Sequence, residues 1–209
     1  MRFFPALSAL LLLACPAKAG TVEDIQGRGV VTCALPTDSP GLVQKAAAGR
    51  EGLAVDLCAL LAAAVLGRAE ATAYVEVTPE DSAVTLQAGE ADVLLVPQAW
   101  TLSQEVEDGV MLVQPLLSQA SDGTVFGPVV RQGDDAWFVT VRWVLLALQA
   151  TDVPPEAAEK AASGLNLHPQ WNSNLRVVTK DYAALLERHL KSLEAQGWAV
   201  VPVGPSPRW

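Results

Sequence analysis

The residue types that most often carry chemistry are sparse in this sequence. Its two histidines, His168 and His189, stand far apart, and neither has a carboxylate or second imidazole at the spacing of a zinc helix motif. No glycine loop of the kind that cradles phosphate is present, nor a nucleophile elbow, nor a cysteine paired with a histidine for attack on a carbonyl. Carboxylates are plentiful, but their spacing assigns no pair to general acid and general base roles. Neither catalysis, a cofactor nor a metal is expected. Of the three cysteines, Cys15 lies near the start and Cys33 and Cys58 in the body of the chain, where their chemistry depends on the compartment.

That compartment is read from the first residues. Met1 and Arg2 form a short basic start, Phe3 to Ala14 an apolar run, and Ala17-Lys18-Ala19 a small-x-small cleavage pattern. The run is about twelve residues, short of the roughly 20 that a membrane-spanning helix needs. We read residues 1–19 as an export signal cut after Ala19, with a lipoprotein anchored at Cys15 of Leu12-Leu13-Ala14-Cys15 as the alternative. Loss of this segment removes Arg2 and Lys18 and no acid, so the charge moves from −9 to −11. So acidic a chain is unsuited to nucleic acid and to anionic lipid, both of which call for basic patches. In an oxidising compartment Cys33 and Cys58 are either a disulfide, closing 25 residues and adding on the order of 3 kcal/mol, or two buried thiols.

The remaining 190 residues suffice for one core of ordinary size. Thr21 to Arg28 reads as a short helix with Thr21 as its cap, and Val30 to Leu35 as a strand ended by Pro36. Thr37 to Gly52 reads as a loop. Ala54 to Leu66, apolar nearly all round, is a buried helix stopped by Gly67. Tyr74 to Val77 is a strand, Thr78-Pro79 opens a helix that ends at Gly89, and Ala91 to Val96 is a third strand. This β-α-β-α-β order argues for parallel strands in an α/β layer. Val110 to Leu117 and Thr124 to Arg131 read as two strands joined through the turn Ser121-Asp122-Gly123. Asp134 and Asp135 cap a helix carried to Ala150 by Trp137, Val141, Val144, Leu145 and Leu148. A short alanine-rich helix follows, then one long helix carried by Leu175, Val178, Tyr182, Leu185, Leu186 and Leu193. The proline-rich tail from Pro202 is irregular.

Five stretches in order resemble a known family. They are Thr21-Val22-Glu23-Asp24-Ile25 through Cys33; Gly52-Leu53-Ala54-Val55-Asp56-Leu57-Cys58; Leu86-Gln87-Ala88-Gly89-Glu90-Ala91-Asp92; Trp100-Thr101-Leu102-Ser103; and Gly127-Pro128-Val129-Val130-Arg131-Gln132-Gly133-Asp134-Asp135 with Trp137-Phe138. Together they are similar to the general L-amino-acid binding proteins of ABC transporters. The resemblance implies a type II periplasmic-binding-protein-like fold. Such proteins have two α/β lobes joined by two hinge strands. Here the segment ending near Gln119 and the one starting near Phe126 lie six residues apart, whereas a lobe needs on the order of 100. The expected fold is therefore a single α/β lobe over 20–209, a mixed sheet flanked by helices, with the hinge strands closed as a hairpin near 118–126.

The resemblance also implies where ligand groups should be. The family supplies serine, asparagine and threonine acceptors and then a carboxylate-binding arginine along the stretch matching Leu95 to Gln104. Here Leu95, Val96, Pro97 and Ala99 replace polar groups, and Gln104 stands in place of the arginine. Ala54 replaces an acid, and Ser82-Ala83 an Arg-Phe pair. A neutral glutamine cannot supply the charge-assisted pair that a carboxylate needs. The degenerate ligand set is Gln98, Trp100, Thr101, Ser103 and Gln104, with Thr101 and Ser103 also readable as loop or cap residues. The expectation is weak or lost amino-acid binding, with an ABC permease or another periplasmic or membrane protein as partner. The alternative is an accessory protein that docks a partner on the former cleft face.

Overall fold

The structure, a computed structural model, describes residues 20–202 apart from 38, 48 and 151; the side chains of residues 102–104 also lie outside the described residues. Residues 1–19, on which the export-signal reading with Ala19 and Cys15 rests, and the tail 203–209 are therefore outside the description. The chain runs α1 (Thr21–Arg28), β1 (Val31–Pro36), β2 (Gln44–Ala46), β3 (Gly49–Glu51), α2 (Leu53–Leu66), β4 (Thr72–Val77), α3 (Pro79–Gln87), β5 (Val93–Leu94), β6 (Gln98–Ala99), α4 (Leu102–Asp108), β7 (Val110–Leu112), β8 (Leu117–Gln119), β9 (Thr124–Phe126), β10 (Val129–Arg131), α5 (Asp135–Gln149), α6 (Pro155–Gly164), α7 (Trp171–Val178), α8 (Tyr182–Ala195) and β11 (Trp198–Val200).

The main sheet has the order β4-β1-β5-β10-β7. β1 is parallel to both β4 and β5, and β10 is antiparallel to β5 and β7, so the sheet is mixed as expected. Side chains alternate across it. In β1, Cys33 and Leu35 face the large core under α1, α2, α5, α7 and α8, while Ala34 faces a smaller core under α3. β5 divides in the same way, Val93 to one side and Leu94 to the other. Apolar except for Asp56 in its first turn, α2 is buried on nearly every side, with Leu57, Leu60, Leu61 and Ala62 to Ala64 in the core. Gly52 precedes it with φ of 132°, and a Cβ there would meet Leu42 O at 2.2 Å, so this entry into the helix requires glycine.

A disulfide joins Cys33 of β1 to Cys58 of α2, with Cα atoms 6.2 Å apart. Both cysteines are fully buried. Of the two states open to these residues, the bridge is the one present, and it staples β1, an interior strand of the main sheet, to α2.

Several elements depart from the sequence reading. Thr21 is the first residue of α1, and Gly20 is its cap. The Thr21 hydroxyl turns into the protein instead, donating to Asp134 and accepting from Arg131 Nη2 at 2.5 Å. The loop from Thr37 to Gly52 contains the small hairpin β2–β3. Its Arg50 pairs with Glu76 and lies 5.9 Å from the ring centroid of Tyr74, which pins the hairpin to the edge strand β4. The long last helix is two helices. Thr179 is extended, and Asp181 caps α8 by accepting from Ala184 N at 2.8 Å, a local bond that competes with continuing α7.

The two strands flanking Ser121-Asp122-Gly123 are each broken, at Pro115 and at Gly127-Pro128. Proline cannot donate to a ladder, so the halves join different sheets. β7 and β10 stay in the main sheet, while β8 and β9 pair in a second sheet of order β11-β8-β9-β6. The hairpin itself is present, Leu117 opposite Phe126 and Ser118 opposite Val125. Where it leaves the main sheet, a Cβ on Gly127 would meet Gln114 O at 2.1 Å. β11, which the sequence left unassigned, adds to β8 with Trp198 opposite Gln119.

Candidate functional site

In open α/β sheets, ligands bind beyond the carboxyl ends of the parallel strands. Here that edge is formed by the residues after β1, β4 and β5, and it is where Gln98, Trp100 and Thr101 fall. Leu95 and Val96, which leave β5, are fully buried, one in each core. They are apolar because they pack, and no polar side chain at these positions faces the strand ends.

Gln98 begins the two-residue strand β6, which is held antiparallel to β9 with Gln98 opposite Val125. Its side-chain amide donates to Ser82 Oγ at 3.2 Å. Ser82 is buried in α3, and its hydroxyl donates in turn to Pro79 O at 2.7 Å. The start of α3 is set by Thr78, whose hydroxyl accepts from Asp81 N, followed by Pro79 at the first helical position. Trp100 is half-buried against the smaller core, and its indole N–H donates to Glu105 Oε1 at 3.0 Å in α4. Thr101 is exposed and immediately precedes α4, its carbonyl accepting from Glu105 N at 3.4 Å. Ser103 and Gln104 lie in the first turn of α4, and their side chains are outside the described residues.

The structure thus brings Gln98, Trp100 and Thr101 to one edge, with the Gln98 amide nitrogen and the Trp100 indole nitrogen bonded within the chain. Ser82 and Glu105 complete these contacts and were not legible from the sequence. Ser82 appears there only as a small residue in a charged position, and Glu105 as one acid among many.

Two further clusters lie elsewhere. Asp56, in the first turn of α2, accepts from Arg188 Nη1 at 3.0 Å and stands 2.9 Å from His189 Nε2, which ties α8 to α2. Asp92 receives two bonds from Arg28 and one from Thr32 N, while its carbonyl accepts from the buried Trp137 indole at 2.8 Å. Both are packing networks. His168 has a structural contact of its own, with its ring against Asn174 and Gln170 N. Among the described residues, no three His, Cys, Asp or Glu side chains gather as metal ligands would, and no helix is long and apolar enough to cross a membrane.

No family model matches the chain. The glutamate/glutamine/aspartate/asparagine-binding protein of Rhodobacter capsulatus is 36% identical over 109 residues, covering 50% of this chain and 31% of that protein. A putative amino-acid ABC transporter-binding protein of Escherichia coli K12 is 36% identical over 107 residues, with the same coverage. The chain thus matches under a third of the length of these relatives. Among solved structures, a periplasmic binding protein from Brucella ovis with glutathione bound superposes with a TM-score of 0.70 at 17% identity, over 82% of this chain and 91% of that one. Domain 1 of the arginine-binding protein TmArgBP superposes with a TM-score of 0.53 at 23% identity, over 61% of this chain and 98% of that domain. These likenesses show the fold, a single α/β lobe of the type II periplasmic-binding-protein kind. The sequence matches add that about half of the chain is related to amino-acid-binding proteins of ABC transporters.

Proposed function

We propose that this chain is an exported periplasmic lobe, derived from an amino-acid ABC-transporter binding protein, whose strand-end face binds free amino acids weakly or not at all. One observation carries this reading: the Gln98 amide bonds to Ser82 and the Trp100 indole to Glu105, so these two strand-end donors are already engaged within the chain. An incoming ammonium or carboxylate must break those bonds without the charged arginine that would offset its own desolvation. The export signal over 1–19, cut after Ala19, and the periplasmic relatives support the location.

The hairpin supports the reading as well. β8 and β9 occupy the place of the two hinge strands and are joined by four residues, with Gly123 N donating to Gln119 O at 3.1 Å. Closure of two lobes around a ligand, which couples binding to transport, has no counterpart in such a chain. This favours contact with a protein over solute delivery. The partner class is an ABC permease or another periplasmic or membrane protein that meets the former cleft face.

Calorimetry of the mature chain against glutamate, glutamine, aspartate, asparagine and arginine tests the reading, alongside affinity purification from periplasm and detergent-solubilised membrane. The expected result is no saturable heat together with stoichiometric recovery of a partner. Micromolar binding of any of these amino acids overturns it.

A further inference from the structure

A cleft of about 660 Å³ opens between the ends of α5, α7 and α8, and shares no residue with the strand-end face. Gln149, Arg176, Lys180 and Tyr182 supply its polar side chains besides Asp181, and Leu148 and Ala150 its apolar ones. Two of these residues hold polar atoms that neither solvent nor protein satisfies. Gln149 Nε2 and the Tyr182 hydroxyl are buried and have no hydrogen-bond partner. Only one other side-chain atom among the described residues, Asn172 Oδ1, is in that position. Folded proteins pair nearly all such groups, so two orphans at one cleft call for an explanation.

The charges nearby point to what would satisfy them. Arg176 bridges to Lys180 O at 2.7 Å and Ala147 O at 3.0 Å, which holds its guanidinium at the cleft, and Lys180 is exposed beside it. The single carboxylate there, Asp181, is turned to the start of α8, where it accepts from Ala184 N. The Tyr182 side chain is 7% exposed, and burial pushes its hydroxyl up to about 12, so it keeps its proton and donates at any physiological pH. The cleft therefore offers hydrogen-bond donors and positive charge next to apolar carbon.

We propose that this cleft binds a small organic carboxylate, whose oxygens accept from Gln149 Nε2 and the Tyr182 hydroxyl beside Arg176 and Lys180 while its apolar part lies against Leu148 and Ala150. Both donors are closed off from solvent in the structure. Entry needs a turn of the Gln149 amide about its last torsion, a broad and soft degree of freedom. The inference is independent of the strand-end reading, since it uses none of the same residues.

Benzoate is the probe. The chain has two tyrosines, Tyr74 and Tyr182, so ring-labelled tyrosine gives two assignable NMR signals, with Tyr74 as an internal control. Benzoate titrated at constant ionic strength is expected to shift the Tyr182 signal saturably and leave Tyr74 unmoved. Gln149→Leu should weaken the apparent affinity by about tenfold, the loss of one hydrogen bond to a charged group, and Lys180→Gln should weaken it several-fold. If Gln149→Leu fails to fold, Tyr182→Phe, read by calorimetry, takes its place with the same expected loss. The proposal is overturned by the absence of a saturable shift, by an equal shift with chloride, or by unchanged affinity in the variant that folds.

Discussion

Ser82 Oγ lies 3.2 Å from the side-chain amide nitrogen of Gln98 and gives its own proton to Pro79 O. A buried serine in α3 and a glutamine at the start of β6 are thus locked together across the edge where an α/β lobe would meet a ligand. The contact engages the Gln98 amide within the chain, so a ligand at the strand ends would have to compete with Ser82 for it.

Gln104→Arg restores the residue type that the family resemblance places there, but Leu95 and Val96 remain in the core and Gln98 remains bonded to Ser82. We expect no saturable heat with glutamate in this variant. Calorimetry showing tight binding on this one change would mean that the strand-end face is open.

The Cys33–Cys58 bridge removes freedom from the unfolded chain, by about 3 kcal/mol for a loop of this length. Alkylation of the mature protein without reductant should add no mass. The double variant Cys33→Ala/Cys58→Ala should unfold at a lower denaturant concentration, by a comparable free energy. Two alkylated thiols would refute the bridge.

Gly127 passes so close to Gln114 O that any side chain forces the two strands apart. Gly127→Ala should cost about 1–3 kcal/mol, the range for overpacking, and weaken amide-exchange protection at Leu116, whose N–H donates to Phe126 O. An unchanged midpoint would show that the crossing has slack.

Burial raises the Tyr182 hydroxyl to about 12 from its ordinary value near 10. In this window the unfolded chain loses the proton while the folded chain keeps it, so the unfolded state binds fewer protons and stability falls as pH rises. This contribution is complete below pH 10 and is lost towards pH 12. The denaturant midpoint of Tyr182→Phe should fall less steeply over that range than that of the parent chain, and equal slopes would contradict the burial.

Much of the fold was legible because its signals are local. The apolar run of α2 with Gly67 behind it, Thr78-Pro79 at the start of α3 and Asp134 at the start of α5 report backbone conformation through nearby bonds, and all three stand as read. The misreadings arose where distant contacts outweigh local preference. Thr21 looks like a cap but donates to Asp134, 113 positions away, and the β2–β3 hairpin is held by Arg50 against Glu76 and Tyr74 of another strand. The break at Thr179 was missed because apolar spacing continues through it, although the backbone does not.

The same division governs the function. By itself, the sequence determined acidity, much of the order of elements and the substitution of Gln104 where the resemblance places arginine, since these depend on residue type and spacing alone. Only the tertiary structure decided that Gln98 and Trp100 spend their polar groups on Ser82 and Glu105, that Cys33 and Cys58 meet, and that Gln149 and Tyr182 share a cleft with neither one satisfied. A hydrogen bond forms over about 3 Å, and which side chains come within that reach is set by how helices and strands far apart in sequence pack on one another.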